Sequence, residues 1–224
     1  YARLKKKNAG YATVKHISDG CFLGVGTGST VNFFIEALII AGKRLNGVVT
    51  TSKQSEELLR KGGFNPIPLA EAKKPLDVYV DGADEIDPRF NLIKGGGGAL
   101  TSEKIVANNA KKFICIVDES KLVQKLGKFP LPMEVISSAV PSISRILRND
   151  YNAIPREREG FTEHGNRIID VAGLEIESPE NLEGELNQIP GVVTVGLFCK
   201  IKPSSCLVGY DDKVKEIFKK DVTN

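Results

Sequence analysis

The sequence predicts an α/β protein whose main sheet is mostly parallel and which carries a smaller α+β insertion, on three observations. Apolar, strand-like runs at 21–25, 47–51, 76–80 and 113–117 alternate with helical patterns. Polar clusters rich in glycine or acid directly follow the first, third and fourth of these runs. Beyond residue 117 the long period gives way to proline punctuation and short alternating stretches. Strand and helix in alternation imply a parallel sheet covered by helices, whereas short alternating stretches imply strands with one face exposed.

In chain order, the apolar run at 21–25 passes through a glycine-rich turn, after which Val31, Phe34, Ile35, Leu38 and Ile39 fall at helical spacing until Gly42 ends the run. Helical patterns at 55–60 and 102–110 separate the later strand-like runs. The segment KFPLP at 128–132 and Pro141 mark the change of regime. Thereafter 131–136, 160–162, 167–171 and 192–200 read as strands, and 142–149 and 179–188 as helices. A last apolar run at 206–209 leads through 213–219 back to the first unit. The expected division is therefore a main domain over 1–129, completed by 206–224, and a small α+β domain over 130–205. No internal repeat or low-complexity stretch is visible.

With 224 residues the chain can bury a substantial core. Its most apolar stretch, 31–41, is interrupted by Asn32 and Glu36, and no charged segment followed by an apolar run opens the sequence. A soluble, cytoplasmic protein with no membrane partner is expected. The net charge of +3 is too mild for a nucleic-acid partner, and Lys5, Lys6, Lys7, Lys219 and Lys220 read as solvated helix faces near the ends. Small anionic metabolites remain compatible. Cys21, Cys115, Cys199 and Cys206 are scattered and read as reduced structural thiols, with a zinc site as the minority reading. His16 and His164, the only histidines, do not stand at metal-ligand spacing from a cysteine. With so few candidates for a histidine base, carboxylates move up.

Four polar clusters carry the chemistry. GVGTGST at 24–30, DGADE at 81–85 and DESK at 118–121 follow strand-like runs, and in an open parallel sheet such loops converge on the ligand crevice. The first offers backbone N–H groups and hydroxyls at a helix start, which suits a phosphate; the alternative is a tight turn with Ser29 or Thr30 as N-cap. A dinucleotide fingerprint would need glycine at Ser29 and an acid after the second strand, and a Gly-Lys-Ser/Thr phosphate loop is absent. Asp81, Asp84 and Glu85 crowd carboxylates that repel unless cations or substrate hydroxyls answer them, the alternative for these and Asp87 being turn formation. In the fourth cluster, Lys94 precedes four glycines, Gly95 to Gly98, whose entropic cost asks for a reason such as close backbone approach to a ligand. Glu103 beyond them is either a catalytic carboxylate or a complement to a helix dipole.

Together these clusters resemble the type A ribose-5-phosphate isomerase family across nearly the whole chain. GVGTGST at 24–30, DGADEID at 81–87, KGGGGAL at 94–100 with Glu103, DESK at 118–121, LGKFPLP at 126–132 and IPGVVTVGLF at 189–198 occur in the family's order. The resemblance implies a Rossmann-like main domain with the smaller α+β domain, the latter in subunit contacts of a homodimer or homotetramer. It implies interconversion of D-ribose 5-phosphate and D-ribulose 5-phosphate through an enediolate, in the non-oxidative pentose phosphate pathway, with no cofactor and no metal. Glu103 would be the base, Lys94 would steady the enediolate, and Asp81 and Asp84 would handle substrate hydroxyls and ring opening. Thr27, Gly28, Ser29, Thr30, Gly82, Ala83, Gly95, Gly96, Gly97 and Lys121 would bind the sugar phosphate. The chain departs from the family at Ser102, where an arginine is common, at His164, where asparagine is usual, and in the KPSS segment at 202–205. The reading from another class is a non-catalytic sugar-phosphate sensor; Lys94 and Glu103, and the lack of a DNA-binding helix pair, speak against it.

Overall fold

A computed structural model describes residues 2–219; Lys220 of the basic run and the rest of the C-terminus lie outside the described residues. The described residues form two compact units: 2–82 with 102–121 and 203–219 make the first, and 83–101 with 122–202 make the second. The elements run α1 (Ala2–Ala12), β1 (Cys21–Val25), α2 (Ser29–Ile40), β2 (Leu45–Thr50), α3 (Lys53–Lys61), β3 (Val78–Asp81), β4 (Glu85–Ile86) and β5 (Leu92–Ile93). Then come α4 (Leu100–Asn108), β6 (Phe113–Asp118), β7 (Leu131–Val135), α5 (Val140–Tyr151), β8 (Ile154–Glu157) and β9 (Arg167–Ala172). Last are α6 (Pro179–Asn187), β10 (Val192–Val195), β11 (Leu197–Phe198), β12 (Ser205–Gly209) and β13 (Val214–Phe218).

The sheet of the first unit has the order β13-β12-β6-β3-β1-β2. All its pairings are parallel except β12 with β13. β1, β3, β6 and β12 are buried along their whole length, which is why they read as continuous apolar runs rather than alternating ones. Helix α2 buries Val31, Phe34, Ile35, Ala37 and Leu38. Its fully buried Phe34, Ile35 and Leu38 each contribute about 1.5–3 kcal/mol of transfer free energy. Ile39, grouped with that face by spacing, is instead 38% exposed. Val25 stands opposite Val80, and Asp81 opposite Cys115, so β1 and β3 end side by side while β6 runs on in the same direction to Asp118. Their following loops, at 26–28, at 82 and at 119–121, therefore leave the same edge of the sheet. Helix α1, not read from the sequence beyond its lysines, packs in this unit, where Lys5 pairs with Glu119.

The second unit has an antiparallel sheet of order β10-β7-β9-β8 and a small one of order β11-β5-β4. Its core is its own, drawn from Leu131, Met133, Val135, Ile143, Leu147, Ile169, Val171, Leu186, Val195 and Leu197. Two expectations change here. Residues 160–162 are not a strand: the Thr162 hydroxyl accepts the His164 and Asn166 amides at 3.2 and 3.1 Å, which closes a turn, and the strand lies earlier, at β8. The run 192–200 is cut at Gly196, where a Cβ would stand 2.5 Å from the Lys94 carbonyl oxygen and 2.6 Å from that of Pro132. There the Gly196 amide donates to Pro132 and its carbonyl accepts from Lys94, so β10 and β11 join different sheets.

Candidate active site

In the first unit the loop after β1 is organised from below by one carboxylate. Asp81 is fully buried at the end of β3. Its Oδ1 accepts the amides of Thr27 at 3.1 Å and Gly82 at 2.7 Å, and its Oδ2 accepts the Tyr79 hydroxyl. A Cβ on Gly26 would lie 2.0 Å from the Asp81 carboxyl carbon, so only glycine lets this loop pass over the acid. The loop is fixed further by Thr27 Oγ1 against Thr51 Oγ1 at 2.7 Å and by the Ser55 hydroxyl donating to the Gly26 carbonyl at 2.6 Å. Gly28, with φ of +120°, flanks α2, which opens with Ser29 and Thr30. The first N–H groups of a helix have no partner within it, and they offer an anion their dipole.

Tyr79 is wholly buried against Phe113, with ring centroids 5.0 Å apart. Burial first, then the charges of Asp81 and Glu103, hold its phenol well above the usual tyrosine range, so it stays a neutral donor. Glu103 sits in the first turn of α4 and is only 5% exposed. A carboxylate that merely complements a helix dipole belongs at an exposed turn; burial of this one has a desolvation cost that asks for specific partners or a function. Lys121 closes a short 3-10 turn, Glu119–Lys121, one turn beyond the end of β6. Asp118 shapes that turn by accepting the Ser120 amide at 2.9 Å.

In the second unit, half-buried Ala83 leads to Asp84, whose Oδ2 accepts the Gly96 amide at 2.8 Å. Lys94 is 3% exposed, with its ammonium 5.6 Å from the Phe198 ring centroid, a desolvated cation over a π-face. Gly95 has φ of +110°, which excludes other residues without strain, and Gly98 donates its amide to the Gly95 carbonyl at 3.0 Å to close the turn. Gly96 and Gly97 are exposed at its tip. Glu85 and Asp87 take structural parts. Glu85 accepts the Gly127 and Phe129 amides, both at 2.9 Å, and Asp87 accepts the Arg89 and Asn91 amides at 2.9 and 2.8 Å.

Tyr79, Thr51 and Ser55 were not singled out by the sequence. Tyr79 and Asp81 are two apart on one strand and so share a face, which was the available signal for the first. Thr51 and Ser55 gave none, because their contacts are long-range and polar. Among the described residues no cluster of histidine, cysteine or acid could hold a metal ion, and no helix is long and apolar enough to cross a membrane. All four cysteines are buried free thiols, and burial pushes Cys21 up to about 11.

The family model for ribose 5-phosphate isomerase A matches residues 47–213. A curated protein of that name from Leptothrix cholodnii is 47% identical over 213 residues, covering 95% of this chain and 96% of its own. The crystal structure of ribose 5 phosphate isomerase A from Neisseria gonorrhoeae superposes with a TM-score of 0.95 at 43% identity, covering 98% of both chains. A D-ribose-5-phosphate isomerase structure in complex with phospho-erythronic acid gives 0.92 at 39% identity, covering 97% of this chain and 99% of the other.

Proposed function

The chain belongs to the ribose 5-phosphate isomerase A family, and on that premise we propose that it is an aldose–ketose isomerase interconverting D-ribose 5-phosphate and D-ribulose 5-phosphate through an enediolate. The single observation that carries the chemistry is the buried Glu103 carboxylate in the first turn of α4. In the open-chain aldose, Glu103 takes the C2 proton and the electron pair moves to the carbonyl oxygen, forming the enediolate. The same carboxyl then returns the proton to C1 while the C2 hydroxyl proton passes to the C1 oxygen, leaving C1 as an alcohol and the C2 oxygen as the ketone. One carboxylate serving both carbons is an economical general base. The desolvated Lys94 ammonium stabilises the oxygen charge that exists only between the two states.

Asp84 handles substrate hydroxyls and ring opening. Asp81, with its oxygens committed to Thr27, Gly82 and Tyr79, acts by shaping the loop that binds the phosphate end. Gly28, Ser29 and Thr30 supply that end with amides and hydroxyls, and Lys121 adds charge. Gly82, Ala83, Gly95, Gly96 and Gly97 let backbone approach the sugar. The relative solved with phospho-erythronic acid, a phosphorylated polyhydroxy acid, supports this substrate class.

The proposal includes catalysis without cofactor or metal. Ribulose 5-phosphate should form from ribose 5-phosphate at an undiminished rate in metal-free buffer containing a chelator. Loss of activity restored by a divalent cation would overturn the cofactor-free mechanism, and no turnover at all would overturn the function. A cytoplasmic setting and a homodimer or homotetramer formed through the second unit complete the reading. Exposed Ile136, Ile154, Phe161 and Val193 of that unit support it. Sedimentation equilibrium showing a monomer at micromolar concentration would remove the oligomer.

A further inference from the structure

Just past the end of β8, in the second unit, Arg158 reaches the turn that follows Lys94. Its backbone amide donates to the Ile168 carbonyl at 2.8 Å, which seats it beside β9. Asp170 on β9 grips the guanidinium from one side, with Nε to Oδ2 at 2.9 Å and Nη2 to Oδ1 at 2.6 Å. That two-point fork leaves Nη1 in a fixed direction, where it donates to the carbonyl oxygens of Gly95 at 3.1 Å and Gly96 at 3.3 Å. The Gly95 oxygen also accepts the Gly98 amide at 3.0 Å, so both of its lone pairs are engaged. On the other side of the same peptide, the Gly96 amide meets Asp84. The glycine turn is thus held at its carbonyls by a cation and at its amide by an anion. Neither hold uses a side chain of the turn itself, which has none between Gly95 and Gly98.

We propose that Arg158, locked by Asp170, is a positioning residue for the isomerisation, keeping the glycine turn and through it the Asp84 carboxylate in the reactive arrangement. This rests on the reading above, that the turn approaches the sugar. Four consecutive glycines have no intrinsic preference for one turn shape, and an unheld turn would sample many. A lysine could not replace the arginine. It has no planar fork to satisfy Asp170 and two carbonyls together.

The test uses the full chain with Arg158→Ala, Arg158→Lys and Asp170→Asn, steady-state kinetics with ribose 5-phosphate, and backbone amide exchange of the peptide covering 94–100. Arg158→Ala should lose about ten- to hundredfold in kcat/KM, the range for removing hydrogen bonds made by a charged group. Arg158→Lys should fall nearly as far, and Asp170→Asn less far in the same direction. Guanidinium chloride at low millimolar concentration should restore part of the Arg158→Ala loss, which a general weakening of the fold would not allow. Exchange in 94–100 should quicken in Arg158→Ala, and this readout holds even if the parent proves to isomerise a different sugar phosphate. Parent-like kcat/KM in Arg158→Ala would overturn the proposal. So would a loss that guanidinium leaves untouched while exchange in 94–100 stays as in the parent. Should Arg158→Ala not fold, parent-like activity in Asp170→Asn together with Arg158→Lys overturns it equally.

Discussion

The two glycine turns, at 26–28 and at 95–98, look alike in sequence and are built on opposite plans. The first lies over a buried carboxylate. Gly26 is glycine because Asp81 occupies the space a side chain would need, and the turn takes its shape from an acid that accepts its Thr27 amide. The second projects its tip outward. Gly95 is glycine because its backbone is left-handed, and the turn takes its shape from Asp84 on an amide and Arg158 on two carbonyls. A missing Cβ makes room in one case and permits a backbone conformation in the other. The first turn is therefore held over a packed acid, and the second chiefly by charged groups gripping its peptide atoms.

The largest effect expected from this division lies with Glu103, the candidate base in the unit that carries the packed turn. Glu103→Gln keeps shape and removes the proton-accepting oxygen, so turnover should fall by about 10²–10⁴. Sugar-phosphate binding measured by isothermal titration should stay within a few-fold of the parent. If the acid only complemented the α4 dipole, the change would cost about 0.3–1 kcal/mol of stability and leave the rate alone. Parent-like turnover would move the base to Asp84 and break the division.

Smaller effects separate the turns themselves, read as thermal midpoints. Gly26→Ala forces a methyl group onto a carboxylate pinned by three donors, and overpacking of this kind costs about 1–3 kcal/mol. For a chain of this length that is a fall of roughly 2–12 °C in Tm. Gly96→Ala meets an Asp84 oxygen at 2.8 Å, but that carboxylate is a half-buried side-chain end, so a small shift relieves the contact. Its Tm should stay within about 1–2 °C, the span of an ordinary surface substitution. Equal losses in the two variants would show that the turns are held alike.

What the sequence displayed depended on how local each signal was. The buried strands β1, β3, β6 and β12 were legible as apolar runs, and α2, α3, α5 and α6 as periodic ones, because burial on a regular element imprints itself on neighbouring residues. β4 and β5, two residues each, leave no period to read. β8 was missed because its Ile-Pro-Arg-Glu run is largely exposed and has no apolar face. The clusters around Asp81, Asp84, Lys94 and Glu103 stood out by composition. Their supports did not: Tyr79 looked like core, Ser55 like helix surface and Arg158 like one charge among several, since each matters through a partner far away in sequence.

The exposed run in β8 has a bearing on how the protein behaves at high concentration. Among the described residues β8 is an outer strand of its sheet, pairing with β9, and it carries Pro155, Arg156 and Glu157 in succession. Proline withholds one of the amides that an incoming strand would need, and the two charges would lose hydration under it. The edge that orients Arg158 is therefore a poor template for another copy's backbone. Ladder extension, the commonest route from a native sheet to fibrous aggregate, is discouraged on that side by the same short segment.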